Sequence, residues 1–180
     1  MERSVMLKRL LSLGAAAVAA IVSACEEGPA SVSGSWRSAA AWSTMIHASA
    51  DGPLLVEVLG QPFAGPPADE LAPQVAAAMS GQLIGRPLAF TADRGQAPRP
   101  QYRVVLAFNA PDGTDAKALC AGRVETRPGP ERITALATFC GDGEALASVR
   151  GWVSRVEGPA DPRFRRLLGQ MTRELFGAAP

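Results

Sequence analysis

Residues 132–156, RITALATFCGDGEALASVRGWVSRV, decide the fold. Gly141-Asp142-Gly143 is a turn cluster between two runs rich in β-branched and small apolar residues. The stretch therefore predicts two strands, Arg132 to Cys140 and Ala145 to Val156, paired antiparallel. Toward the N-terminus, Pro128-Gly129-Pro130 and Pro111-Asp112-Gly113 bound a further predicted strand, Lys117 to Thr126. Before it, Gln101 to Asn109 alternates Val104, Leu106 and Phe108 against Arg103, Val105 and Ala107, so a four-strand meander is expected. Toward the C-terminus, Asp161-Pro162-Arg163 places an N-cap residue before a first-turn proline. Phe164, Leu167, Leu168, Met171 and Leu175 then recur at helical spacing up to Gly177, a stop signal.

The N-terminal half reads less sharply. Leu71, Val75, Met79 and Leu83 recur every four residues and predict an amphipathic helix over 69–83 with Asp69 as its cap, although Pro73 removes a backbone donor. Leu88 to Asp93 reads as a strand. Ala41 to Ala48 and Leu54 to Leu59 flank Ser49-Ala50-Asp51-Gly52-Pro53 and suggest a first hairpin. Two helices with single apolar stripes and about six short strands share a core most simply as an α+β domain. Its sheet is expected to be mainly antiparallel, with both helices on one face. The chain has 180 residues, 47% hydrophobic and 19% charged, with a net charge of +1. These values exclude collagen, coiled coil and a strongly basic nucleic-acid binder, and much of the apolar share is Ala, so a small core is expected.

Arg3, Lys8 and Arg9 precede an uncharged run from Leu10 to Val22. That run is shorter than the roughly 20 residues a spanning helix needs and has the form of a secretory signal. It ends in Val22-Ser23-Ala24-Cys25, which resembles the lipobox of bacterial lipoproteins. The resemblance covers about the first 25 residues and implies acylation of Cys25 with three acyl chains, enough for permanent anchoring. It further implies a domain in the periplasm, and Glu26 in place of Asp leans toward the outer membrane over the inner. On this reading residues 1–24 are the signal peptide, 25–40 a flexible tether and 41–180 one periplasmic domain. Within the tether, Trp36 either docks on the domain or lies among headgroups.

Export places Cys120 and Cys140 in an oxidising compartment, where an even pair favours a disulfide over a metal site or a catalytic thiol. Pairing the flanking strands symmetrically about Pro130 sets Cys120 directly against Cys140. A bridge there stabilises by about 3 kcal/mol in the chain-entropy model.

Catalytic signals are thin. Ser43, His47 and Asp51 suggest a nucleophile, base and orienter, but in a strand Ser43 and His47 stand about 13 Å apart, beyond hydrogen-bond reach. No metal-binding motif is present, and no cofactor is expected. Gly141-Asp142-Gly143-Glu144 lies between strands and reads as a turn. Glu125, Glu131, Asp142, Glu144 and Glu157 crowd the meander ends and leave a two-carboxylate hydrolase open. Arg163, Arg165, Arg166 and Arg173 give the last helix a basic face suited to anionic headgroups, cell-wall carboxylates or an acidic partner. The reading that follows is a non-enzymatic, lipid-anchored envelope protein acting as adapter or assembly factor for a protein or cell-wall partner, without nucleic acid. The alternatives are a carrier of a small apolar ligand, which needs a pocket of several hundred Å³, and the hydrolase.

Overall fold

Side-chain alternation builds the sheet. In β4 (Tyr102–Phe108), Val104, Leu106 and Phe108 enter one core while Val105 and Ala107 enter a second on the opposite face. The computed structural model describes residues 30–31, 36–64, 68–127 and 132–177. β5 (Arg132–Gly141) pairs antiparallel with β4, setting Leu106 opposite Ala137, and turns into β6 (Glu144–Ser154) through Asp142 and Gly143. Both turn residues have positive φ, 51° and 85°, as a two-residue hairpin matched to strand twist requires. The remaining strands are β1 (Ala30–Ser31), β2 (Leu54–Leu59) and β3 (Phe90–Thr91). The six strands stand in the order β1-β6-β5-β4-β2-β3.

Three of the described helices cover one face. α1 (Ala41–Ala48), α2 (Ala68–Met79) and α4 (Pro162–Phe176) pack on it, whereas the five-residue α3 (Ala116–Cys120) lies on the other. The architecture is α+β.

Helix α4 is the keystone of the covered face. The Asp161 carboxylate accepts the Arg163 N–H at 2.8 Å, Pro162 occupies the first turn, and Gly177 takes φ 75° at the end. Phe164 meets Phe63 and Phe108 at ring separations of 5.1 and 5.6 Å, and Phe176 meets Phe139 and Phe90 at 5.1 and 6.4 Å. Each such ring, like the buried Leu167, Leu168, Met171 and Leu175, contributes about 1.5–3 kcal/mol by leaving water.

Several expectations need correction. Ala41–Ala48 is a helix, so no hairpin joins it to β2. Ala41, Met45 and Ala48 are buried while Ser43 and His47 are exposed, a helical period that a strand would have scrambled by putting Ser43, Met45 and His47 on one face. Freed of that partner, β2 pairs parallel with both β4 and β3, setting Val56 opposite Val104 and Leu54 opposite Phe90, so the sheet is mixed. Residues 117–126 form no strand: after α3 the chain crosses the second face, with Gly122 at φ 67°. Adjacent Leu119 and Cys120 are both buried, contrary to strand alternation, and the meander has three strands. The strand expected over 88–93 shortens to β3. The helix expected over 69–83 ends at Met79, and Asp69 sits in its first turn instead of capping it. Beyond that helix Gly81, at φ 71°, donates its N–H to the Leu88 carbonyl.

Part of the stretch read as a tether is laid along the sheet. Ala30 pairs with Trp152 and Ser31 with Gly151. Farther along, the Ser148 N–H donates to the Trp36 carbonyl and the Ser38 N–H to the Leu146 carbonyl. Arg37 crosses to the end of α4, where its Nη2 donates to the Glu174 carbonyl at 2.7 Å, a favourable place for a cation. The lipobox-like stretch 22–25, with the acylation expected at Cys25, lies outside the described residues.

Candidate functional site

The second face of the sheet is divided. Over β4 and the far end of β5, α3 and the chain after it bury a small cluster of Val105, Ala107, Leu119, Cys120, Leu136 and Cys140. Cys120 and Cys140 are joined there, their Cα atoms 5.7 Å apart. The bridge ties the end of a helix to the strand beneath it; it is not the cross-strand link that pairing about Pro130 implied. Arg103 reinforces the same corner. Its Nε donates to Glu57 Oε2 at 2.7 Å and its Nη2 to the Cys120 carbonyl at 2.8 Å, connecting β4, β2 and α3, while Arg94 reaches the other Glu57 oxygen at 3.2 Å. Sequence reading missed Arg103, whose only signal was a cation within an otherwise apolar strand; its register partner on β2 is Leu55, two residues before Glu57.

Toward β6 the same face is open. Asp112, Thr134, Leu136, Arg150 and Trp152 line a recess of about 150 Å³. Arg150 Nη2 donates to the Thr114 carbonyl at 2.7 Å, fixing the loop that forms the recess wall. The exposed Arg132 guanidinium lies 3.9 Å from the centre of the Trp152 ring, a cation over an aromatic face. Arg132 has no carboxylate partner among the described residues.

The four arginines expected to form one basic face are dispersed. Arg163 donates to both Asp161 oxygens and to the Arg155 carbonyl, closing the start of α4. Its hydrogen bond to the Asp161 side chain holds that carboxyl below its ordinary range. Arg165 lines a recess of about 180 Å³ with Gln74, Ala78 and Pro159. Arg166 is exposed. Arg173 donates to Gln82 Oε1 at 3.0 Å beside a recess of about 250 Å³ that includes Arg37 and Ile84. These three recesses are smaller than the roughly 300–1,000 Å³ of ordinary ligand pockets.

The remaining candidates are placed as follows. Because 41–48 is helical, Ser43 and His47 stand one turn apart on α1, and the separation computed for a strand does not apply. Ser43 Oγ donates to the Ala40 carbonyl at 3.1 Å, the His47 ring meets Tyr102 edge-on at 5.7 Å, and Asp51 pairs with Arg99 at 2.7 Å. The acids also separate: Tyr102 donates to Asp142 at 3.2 Å, and Lys117 pairs with Glu144 at 3.1 Å. The Asp142 charge raises the Tyr102 pKa above its ordinary value. Glu125 and Glu157 are exposed, and Glu131 lies outside the described residues. Among the described residues no group of three His, Cys, Asp or Glu is placed to hold a metal ion, and no helix is long and apolar enough to cross a membrane. No family model matches the chain, and neither a curated protein nor a solved structure matches it.

Proposed function

We propose that this chain is a lipid-anchored bacterial envelope protein, acylated at Cys25, whose periplasmic domain works without catalysis as an adapter or assembly factor for a protein or cell-wall partner. The outer membrane is its proposed station. The observation that carries the reading is Val22-Ser23-Ala24-Cys25 behind the uncharged run Leu10 to Val22 and its basic flank. The Cys120–Cys140 bridge accords with an oxidising compartment.

Metabolic labelling with a fatty-acid analogue tests the anchor. Wild type carries the label and sediments with membranes, and Cys25→Ala loses both; a labelled Cys25→Ala protein would refute the assignment. Cross-linking in intact envelopes tests the adapter role, which predicts one saturable partner. A small apolar molecule co-purifying with the protein would replace that role with carriage, and release of fragments from purified cell wall would replace it with hydrolysis.

A further inference from the structure

The path of the chain into the fold determines which part of the domain can meet the membrane. Ala30 is the first described residue, and it pairs with Trp152 near the end of β6. Cys25 precedes Ala30 by five residues, a span of at most about 17 Å fully extended. The hairpin at the other end of β6, by contrast, stands about 26 Å from Trp152, since eight residues separate it from Glu144 at strand rise. An acyl chain on Cys25 therefore keeps the Trp152 end within reach of the headgroups and lets the Asp142–Gly143 turn stand away from them. The same end presents side chains suited to that zone. Trp152 is half-buried, with Arg132 stacked on it at 3.9 Å, and Arg132 is exposed. An amphipathic ring and a cation without a described carboxylate partner match the aromatic and anionic layers of a bilayer interface.

We infer that the open second face at the Trp152 end of β5 and β6 is a membrane-docking surface, on which Trp152 and Arg132 rest against the anionic headgroups of the bilayer that holds Cys25. The inference rests on the proposed acylation. It fixes the orientation of the domain: the Trp152 end lies at the lipid, while α1 and the turn that carries Asp142 point into the periplasm. A partner is then met on surfaces distal to the anchor.

Hydroxyl-radical footprinting of the full acylated protein provides the test, in vesicles of phosphatidylethanolamine and phosphatidylglycerol and in neutral detergent micelles. The wild-type protein suffices, with Trp152 as the reporter and Tyr102, at the opposite end of the sheet, as the internal control. Vesicles are expected to slow Trp152 oxidation several-fold and leave Tyr102 unchanged. Arg132→Gln is expected to recover most of the Trp152 reactivity, by about fivefold, the factor set by about 1 kcal/mol per basic residue at an anionic surface. Intact mass and flotation with the vesicles report acylation separately. An acylated, floating protein whose Trp152 reacts equally in both media would overturn the docking surface alone. Absence of the acyl mass would overturn the anchor and the docking surface together.

Discussion

On the helix-covered face, Phe164, Leu167, Leu168, Met171 and Phe176 of α4 interlock with α1, α2 and all the longer strands in one continuous apolar cluster. On the opposite face, α3 lays only Leu119 and Cys120 on Val105, Ala107, Leu136 and Cys140, and covers only part of the sheet. The first face is held by area removed from water. The second buries a smaller cluster, and a disulfide and the Arg103 hydrogen bonds tie its cover to the sheet. The open remainder is where Trp152 and Arg132 stay accessible, so the incomplete cover is itself the source of the candidate surface.

Breaking the first face should have the largest effect. Phe164→Ala removes a ring packed between Phe63 and Phe108 and is expected to cost about 3–5 kcal/mol in urea unfolding. A cost under about 1 kcal/mol would mean that this face is not one tightly packed core. Replacing Cys120 and Cys140 together with Ala should cost about 3 kcal/mol. Amide exchange should then rise over residues 111–127 and stay low in α4. Equal loss of protection in α4 would show that the two faces unfold as one unit.

Arg103→Gln should cost about 1.5 kcal/mol, because a half-buried charged hydrogen bond to Glu57 and the bond to the Cys120 carbonyl go together. The effect should shrink in the variant lacking the disulfide if both act on the same cover, and a double-mutant cycle reads that coupling directly. The smallest effect belongs to the cap: Asp161→Ala should cost about 1 kcal/mol at neutral pH. Since Arg163 lowers the folded pKa of Asp161, its stabilisation is complete above the unfolded value of about 4 and is lost as pH falls through the lower folded value. Asp161→Asn keeps an acceptor but does not titrate, so the stability difference between it and wild type should narrow as pH falls below about 4. A constant difference would mean that the pairing with Arg163 adds nothing to stability.

Legibility in the sequence followed the range of the physics. Helix α4 was readable because Asp161, Pro162 and Gly177 act through their own backbone and nearest neighbours, and its apolar residues recur over fifteen positions. The β5–β6 hairpin was readable because Asp142-Gly143 tolerates positive φ. Residues 41–48 were misread because eight residues give both periods few repeats, and the turn after them suits either a hairpin or a helix-to-strand junction. Residues 117–126 were misread because bounding prolines and glycines mark where a segment ends without stating its conformation. Of the candidate site residues, the cysteine pair was readable from its even number and the export expected for the chain. The basic face was not, because helical spacing alone does not reveal that Arg163 turns back to Asp161 and Arg173 to Gln82.

By itself the sequence determined the local elements with strong end signals and the α+β class, and it carries the lipobox-like stretch on which the proposed address rests, since each depends on contiguous residues. Only the tertiary structure decided that β2 runs parallel to β4, that Cys120 reaches Cys140 from a helix, and that the stretch after Cys25 joins the edge of β6 beside Trp152. Those are contacts between segments distant in the chain, chosen by which apolar faces can be buried together, and no local pattern records that choice.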